Sequence, residues 1–218
     1  MLRCVSIMAL AVGLVFGVSA SVAGASEASR ALPPSSEMMH VGAEVLAPSA
    51  FQDFCQRSPN ECAPDQGRPA RMALTTQRWQ DLNEINDIVN QTVIARSDQD
   101  LFGVVDYWTI AGRFGDCEDY ALTKQQMLRQ RGWPLGALLM TVVRDENGEG
   151  HAILTARTSR GDFVLDNRQP KVVAWNVTPY QFIKRQSTLS PRIWLALAPG
   201  LTPARESTTV AALSGAKR

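Results

Sequence analysis

The chain has 218 residues, of which 45% are hydrophobic, and this is enough apolar sequence to build one sizeable buried core. Its 22 Lys and Arg nearly balance its 21 Asp and Glu, and a net charge of +1 argues against a nucleic-acid partner. Four Cys, 12 Pro and 15 Gly exclude a disulfide-dense scaffold and a collagen-like chain.

Residues 1–25 have the pattern of a secretory signal peptide. Arg3 precedes a hydrophobic run, and Ala23-Gly24-Ala25 supplies the small residues that suit cleavage. An uncleaved membrane anchor is the alternative, because about 18 apolar residues can just span a bilayer. Small residues dilute the run, however, and no Lys- or Arg-rich segment follows it. We therefore expect an exported, soluble product that begins near Ser26.

Two segments flank the expected domain. Residues 26–50 mix Ala, Ser and Pro without a sustained period and are predicted to be a flexible N-terminal segment. Residues 199–218 are rich in Ser, Thr, Ala and Lys, have little to bury, and are predicted to form a disordered tail. The compact domain is expected over residues 51–198.

Three cysteines remain once the signal peptide is removed. Cys55 and Cys62 flank a short, turn-rich segment that can bring their Cα atoms together, so they are the natural disulfide pair in an oxidising compartment. Closing this loop of about eight residues is worth roughly 2–3 kcal/mol. Half of a zinc site is the alternative, but the spacing differs from a Cys-x-x-Cys pair. Cys117 is then a free thiol.

The first helix is predicted from Thr75 to about Arg96. Apolar residues recur there at three- and four-residue steps, and the resulting apolar face belongs to the core. A loop containing Asp106-Tyr107-Trp108 follows, and we expect Trp108 to pack in the core rather than line a cleft.

Cys117 is predicted on the first turn of a second helix. Asp116 is a good N-cap, Asp119 lies where a capping carboxylate belongs, and Gly132 with Pro134 ends the helix. The positive helix terminus and its unpaired N–H groups stabilise a thiolate and can hold an oxyanion. A small, buried, unreactive cysteine is the alternative.

Acidic residues surround the same thiol. Asp116, Glu118 and Asp119 place negative charge near the sulfur, which raises the pKa of a thiol unless these side chains point away, cap the helix or bind a cation.

The second half of the chain is predicted to be mainly strand. Helices first and an antiparallel sheet afterwards predict an α+β domain whose Cys117 helix packs against the sheet. The predicted strands are Leu135–Val143, His151–Arg157, Phe163–Asp166, a short one near Lys171–Trp175, and Arg192–Leu197.

A base and an orienting acid are predicted on one hairpin. Of the two histidines, His40 falls in the flexible segment, whereas His151 begins a strand. Asp166 ends the next strand, and arms of equal length about a turn near residues 158 and 159 bring both to one end of the hairpin. A thiol nucleophile needs such a base and a third group that fixes its tautomer. The alternatives are a histidine that merely ends a hairpin and an aspartate that caps a turn.

These residues together resemble a known family, the bacterial transglutaminase-like cysteine proteinases of the papain-like superfamily. The resemblance covers about Phe51 to Leu197, and its most specific part is the string around Cys117, residues 115–121. It implies a papain/transglutaminase-like α+β fold with Cys117 as nucleophile, His151 as general base and then acid, and Asp166 as the orienting residue. The strings that carry it are Gly115-Asp116-Cys117-Glu118-Asp119-Tyr120-Ala121, Asp106-Tyr107-Trp108, His151 and Val164-Leu165-Asp166-Asn167.

The resemblance also implies a cofactor and partners. Family members with an assigned role are periplasmic, calcium-dependent proteases that cut large surface adhesins, and the acids flanking the nucleophile help to bind calcium. Those positions are Asp116 and Glu118 here, so the resemblance implies a Ca²⁺ site completed by loop oxygens or water. It likewise implies a protein substrate such as an adhesin and an inner-membrane regulatory protein. The alternative is that Asp116 only caps the helix and Glu118 is solvated.

The leading prediction is an exported cysteine peptidase that acts through a thioester. The same acyl-enzyme can be captured by an amine, which would make the protein a transglutaminase or amidase. A noncatalytic periplasmic binding module on the same scaffold is the third function left open.

Overall fold

The computed structural model describes residues 31–65 and 70–197, so the predicted signal peptide and the predicted tail lie outside the described residues. Within these ranges, no helix has the length and apolar character needed to cross a membrane. The helices are α1 (Ser49–Arg57), α2 (Thr76–Thr92), α3 (Asp98–Phe102) and α4 (Cys117–Gln130). The strands are β1 (Val41–Val45), β2 (Ile94–Ala95), β3 (Phe114–Gly115), β4 (Leu138–Arg144), β5 (Gly150–Thr158), β6 (Gly161–Leu165), β7 (Val173–Ala174), β8 (Gln181–Gln186) and β9 (Trp194–Leu197).

The main sheet is antiparallel throughout. Its strand order is β1-β9-β8-β4-β5-β6-β7, so the hairpin of β5 and β6 lies next to the central strand β4. Strands β2 and β3 form a separate parallel pair that leads into α4. Helix α4 packs against β5 and β4. The predicted α+β fold, with the Cys117 helix on an antiparallel sheet, is confirmed.

Apolar residues bury both faces of this sheet. On the helical side, α2 contributes Trp79, Leu82, Ile85 and Val89, whose three- and four-residue spacing places them on one stripe. Full burial of each such side chain is worth about 1.5–3 kcal/mol. The opposite face carries a second, smaller cluster that consists of Met39, Val143, Ile153, Val164, Phe182 and Leu197.

The prediction of a flexible segment over residues 26–50 is wrong for its second half. Val41–Val45 forms the edge strand β1 and pairs with β9. Met39 is buried, and its backbone N–H donates to Asp162 Oδ2 at 2.9 Å. Every side chain of β1 is exposed, so the strand has no apolar alternation that a sequence pattern could reveal. Its backbone hydrogen bonds to the sheet edge hold it instead.

The end of one helix and the presence of one strand also differ from expectation. Helix α2 ends at Thr92 rather than near Arg96, because Ile94–Ala95 pairs with β3 as a strand. Strand β8 was not predicted, since charged residues interrupt its apolar pattern. One of them, Arg185, is buried and forms an ion pair with Asp162 at 3.2 Å.

A disulfide joins Cys55 on α1 to Cys62, with Cα atoms 5.5 Å apart. The intervening chain closes through a short 3₁₀ turn at Pro59–Cys62, and both cysteines are buried. Trp108 also lies in this part of the core, edge-on to Phe51 with ring centroids 5.3 Å apart, so its predicted packing role is confirmed.

Candidate active site

Cys117 is the first residue of α4, directly after the N-cap residue Asp116. The turn into this helix requires glycine at position 115, because a Cβ there would approach Asp119 Cβ to 2.7 Å. The Cys117 thiol is partly exposed and donates to Glu118 Oε2 at 3.1 Å. The backbone N–H of Ala152 lies close enough to the sulfur to lower the pKa of the thiol.

The opposing charge effects predicted around Cys117 do not cancel. Burial raises the pKa of the thiol well above its usual value, and the neighbouring Glu118 raises it further. The Ala152 N–H lowers the pKa but does not compensate. In this arrangement the sulfur is a protonated thiol, which is a poor nucleophile.

His151 and Asp166 meet at the open end of the β5–β6 hairpin. His151 Nε2 lies 2.9 Å from Asp166 Oδ1, and both side chains are buried. Leu154 pairs with Leu165, so Asp166 lies across from Ile153, two positions from His151 and on the same face. Because a carboxylate only accepts, the neutral tautomer that suits this contact has its hydrogen on Nε2 and its lone pair on Nδ1. That Nδ1 is buried and has no hydrogen-bond partner among the described residues.

Several donors hold the Asp166 carboxylate. The Arg168 backbone N–H donates to Oδ1 at 2.9 Å, and the Tyr180 hydroxyl donates to Oδ2 at 2.5 Å. Burial alone would raise the pKa of Asp166, but the hydrogen bonds from His151, Arg168 and Tyr180 outweigh it and lower the pKa. Asp166 is therefore a stable carboxylate that can accept the imidazole N–H.

The two parts of the site come together where α4 crosses β5. Ala152, whose N–H reaches the sulfur, directly follows His151 along the strand. Arg168 lies close enough to Cys117 for a thiolate at Cys117 to raise the pKa of the Arg168 guanidinium. The same guanidinium forms an ion pair with Asp145 at 2.6 Å. Cys117, His151 and Asp166 thus occupy one region of the molecule. Among the described residues, the Cys117 thiol forms its hydrogen bond with Glu118 and not with the His151 imidazole.

An acidic cluster lies beside the thiol. Carboxylate oxygens of Asp98, Asp116 and Glu118 lie within 4.8 Å of one another. Asp98, from α3, is 1% exposed, and its Oδ1 has no hydrogen-bond partner in the described chain. Asp116 Oδ1 is likewise buried and has no hydrogen-bond partner in the described chain. Buried, unpaired carboxylate oxygens are costly without a cation, and oxygen donors of this kind are those that Ca²⁺ takes.

Burial and the neighbouring negative charges favour the protonated form of two carboxyl groups in the acidic cluster. Burial, followed by the charge of Asp116, raises the pKa of Glu118 to about 9, and burial raises that of Asp98. Asp116 occupies the N-cap position but forms no side-chain capping bond, and its Oδ2 accepts from the Asp98 N–H at 3.3 Å instead. Glu118 is buried, not solvated. The residues therefore fit a divalent cation better than simple helix capping.

Asp119 contacts the preceding loop in addition to lying near the N-cap backbone N–H of Asp116, which lowers its pKa. Its Oδ1 accepts from the Thr109 N–H at 2.8 Å, while Oδ2 is buried and has no hydrogen-bond partner among the described residues. Burial raises the pKa of this carboxyl group to about 7. Asp119 therefore anchors the loop that precedes α4.

Sequence reasoning missed four residues of this region. Asp98 lies far upstream and has no fixed spacing to Asp116, so no local signal identifies it. Arg168 and Tyr180 reach the site through loops whose path only the fold defines. Lys124 is 1% exposed and lies seven positions after Cys117 on α4. That helical spacing could have indicated that it shares the Cys117 face.

A cysteine at a helix N-terminus, beside a buried imidazole that is oriented by a carboxylate, defines the class of papain-like thiol hydrolases. Residues 41–201 match the model of the bacterial transglutaminase-like cysteine proteinases, abbreviated BTLCP. The match spans most of the chain, and the protein belongs to this family of transglutaminase-like cysteine proteinases. Among curated proteins, no match to this chain is found.

Three similar solved structures are all of LapG from Legionella pneumophila. The first is 23% identical, covers 53% of this chain and 65% of that chain, and has a TM-score of 0.45, so the match spans less than two thirds of that LapG chain. A calcium-bound LapG structure is 19% identical, covers 70% of this chain and 91% of that chain, and has a TM-score of 0.45. An EGTA-treated LapG structure is 19% identical, covers 71% and 83%, respectively, and has a TM-score of 0.46.

Proposed function

We propose that this protein is an exported, calcium-dependent cysteine peptidase in which Cys117 is the nucleophile, His151 the general base and then acid, and Asp166 the residue that orients His151. The observation that carries the proposal is the 2.9 Å contact between His151 Nε2 and Asp166 Oδ1 beside the Cys117 helix. It leaves His151 Nδ1 as a buried nitrogen with a free lone pair. A buried polar atom without a partner is costly, and the proposed role as a base gives this nitrogen a function.

The reaction begins with the transfer of the Cys117 proton to His151 Nδ1. The sulfur then attacks the carbonyl carbon of a peptide bond, and the carbonyl π electrons move to oxygen. The Cys117 backbone N–H, at the first position of α4, has no helical acceptor and can hold this oxyanion.

The imidazolium completes the first half of the reaction by donating its proton to the leaving amine. The oxyanion electrons re-form the carbonyl, the C–N bond breaks with its electron pair leaving on the amine, and a thioester remains on Cys117. Water, deprotonated by His151, then attacks the thioester. The carbonyl re-forms, the C–S bond breaks, and the sulfur takes the proton back from His151, which releases the new carboxyl terminus and the thiol. Asp166 stays ionised throughout and stabilises the imidazolium form of His151.

Asp98, Asp116 and Glu118 would hold the calcium ion, with loop oxygens or water completing the set. When bound, Ca²⁺ supplies positive charge that offsets the carboxylates opposing a thiolate. Glu118, as a ligand, would be engaged away from the Cys117 thiol. Burial is the largest cause of the high pKa of this thiol, and the negative charges of Glu118 and Asp116 add to it.

Export is the third part of the proposal. Residues 1–25 act as the signal peptide, and the peptidase domain occupies the chain up to residue 198. The disulfide between Cys55 and Cys62 suits an oxidising compartment such as the periplasm. A protein substrate at the cell surface, such as an adhesin, and an inner-membrane regulatory protein fit that location.

Digestion of a proteome-derived peptide library tests the activity. The mature protein, with calcium, is expected to create new amino termini that mass spectrometry detects, and Cys117→Ala is expected to create none while keeping its fold. An ammonia-loss crosslink without new termini would instead identify an acyl transferase. Alkylation by iodoacetamide at the rate of a free peptide thiol, with calcium present, would contradict an activated nucleophile.

Calcium dependence has its own control pair. Asp98→Asn removes a proposed ligand, whereas Asp100→Asn removes the same charge from an exposed position on the same helix. Calorimetry is expected to show similar calcium affinity in the wild type and Asp100→Asn and a much weaker affinity in Asp98→Asn. Cleavage that is insensitive to chelator would reject the calcium proposal and leave the peptidase proposal intact.

A further inference from the structure

Tyr180 contacts both His151 and Asp166. It lies just before β8, which is separated from β5 by β4 in the sheet. Its hydroxyl donates to Asp166 Oδ2 at 2.5 Å, and its ring lies edge-on to the imidazole, with centroids 5.6 Å apart and planes at 70°. One side chain therefore touches the proposed base and the proposed orienting acid together.

The hydroxyl completes the fixation of the carboxylate. Asp166 Oδ1 already accepts from His151 Nε2 and the Arg168 N–H, each at 2.9 Å. Tyr180 is the donor to Oδ2, so it prevents rotation of the carboxylate plane away from the imidazole. The ring meanwhile packs against the smaller core cluster, which keeps the phenol in place.

We propose that Tyr180 is a positioning residue that holds the Asp166 carboxylate and the His151 ring in the orientation that points Nδ1 toward Cys117. This inference rests on the proposed peptidase function. Tyr180 acts through its two neighbours and exchanges no proton with substrate.

The loss of the hydroxyl has a defined electrostatic consequence. A buried carboxylate oxygen without its donor favours the neutral acid, so the pKa of Asp166 rises. Protonated Asp166 cannot accept the Nε2–H, and the base loses its orientation at a higher pH than in the wild type. The other charged or titratable groups that face Asp166 or Tyr180 stay in the variant; they are His151 on β5, Lys124 on α4, Arg168 after β6 and Glu146 in the β4–β5 turn.

The test compares Tyr180→Phe with Tyr120→Phe. The Tyr120 hydroxyl likewise donates at 2.5 Å, but to the Val93 carbonyl, outside the site. Each variant loses one tyrosine hydrogen bond, partly buried at Tyr180 and buried at Tyr120, so Tyr120→Phe is expected to lose at least as much thermal stability as Tyr180→Phe. The assay uses a fluorogenic peptide built on the sequence that the library digestion selects, in saturating calcium.

For Tyr180→Phe we expect kcat to fall roughly tenfold, as for a lost hydrogen bond to a charged group, with KM unchanged. The acidic limb of its pH–rate profile is expected to move up by about one unit. Tyr180→Leu, which also removes the ring, is expected to lose more. Tyr120→Phe is expected to keep the wild-type kcat and pH profile.

A second measurement does not depend on turnover. The proton on His151 Nε2 is expected at low field in the NMR spectrum, and His40→Asn assigns it because the chain has two histidines. In Tyr180→Phe this signal is expected to shift and broaden. Wild-type kcat and an unchanged signal in Tyr180→Phe would overturn the inference, as would equal kcat losses in the two Phe variants. An active His151→Asn, by contrast, would overturn the proposed triad itself.

Discussion

The two halves of the site are completed in different ways. On the hairpin side, each carboxylate oxygen of Asp166 has at least one donor, and the fold supplies all of them. On the helix side, Asp98 and Asp116 each keep a buried oxygen without a partner in the described chain, and Glu118 accepts a hydrogen bond from the thiol. The Asp166 carboxylate is therefore fully hydrogen-bonded, whereas the acidic cluster is not. The proposed proton transfers depend on the hairpin half, and the proposed calcium site depends on the acidic cluster.

The largest expected effect comes from breaking the hairpin half. His151→Asn is expected to lower kcat/KM roughly 10³- to 10⁴-fold, as for the loss of a catalytic base or its orientation. Calcium binding should persist, because the imidazole is not a ligand. His40→Asn, at the exposed second histidine, is the matched control and should be fully active. Substantial activity in His151→Asn would mean that another group serves as the base.

Breaking the acidic cluster should have the next largest effect. Asp98→Asn is expected to weaken calcium binding by at least about 100-fold, since even residues that only support metal ligands cost about 10–100-fold. Iodoacetamide alkylation of Cys117 should slow correspondingly at a calcium concentration that saturates the wild type. High calcium should restore the rate in Asp98→Asn if the residue acts only through the ion. Slow alkylation at every calcium concentration would contradict this comparison.

Lys124 is a buried lysine on α4 close to Asp166, and it tests how much the burial of a charge near the site costs in stability. It is buried on α4, forms no ion pair with any residue of the described chain, and burial lowers its pKa to about 7. The unfolded state therefore binds more protons between about pH 7 and 10.5, and this group makes stability rise with pH across that window. Below it, the burial penalty is fully present.

Lys124→Met should remove that penalty. At 1.36 kcal/mol per unit of pKa, we expect the free energy of unfolding at pH 7 to rise by about 2–4 kcal/mol, with the gain vanishing toward pH 10.5. Chemical denaturation as a function of pH measures it. Lys171→Met, at an exposed position, should change stability little. A loss of stability in Lys124→Met would show that the ammonium group has a partner that the fold needs.

The smallest effect is expected away from both halves. Replacing Cys55 and Cys62 by Ser should lower the free energy of unfolding by about 2–3 kcal/mol, because a short loop is no longer closed. Activity and calcium affinity should be unchanged well below the melting temperature. A loss of calcium affinity in this variant would mean that α1 positions the acidic cluster.

The sequence was most informative where local rules apply. The N-cap residue, the helix formers and Gly132 predicted the Cys117 helix, which the structure has at Cys117–Gln130. Equal hairpin arms predicted that β5 and β6 pair, and they do so with a turn between Thr158 and Gly161. The sequence was least informative for two strands. The side chains of β1 are all exposed and show no apolar alternation, and β8 contains Arg185, which is buried in an ion pair with Asp162.

The sequence by itself therefore determined the class of fold, the candidate nucleophile and the candidate base with its orienting acid. These depend on short-range spacing, which helix and hairpin geometry convert into position. Tertiary structure alone decided that Asp98 joins the acidic cluster, that Tyr180 reaches Asp166, and that burial raises the thiol pKa beyond the effect expected of Glu118. The first two depend on residues far apart in the chain and the third on exclusion of water, neither of which a local pattern contains.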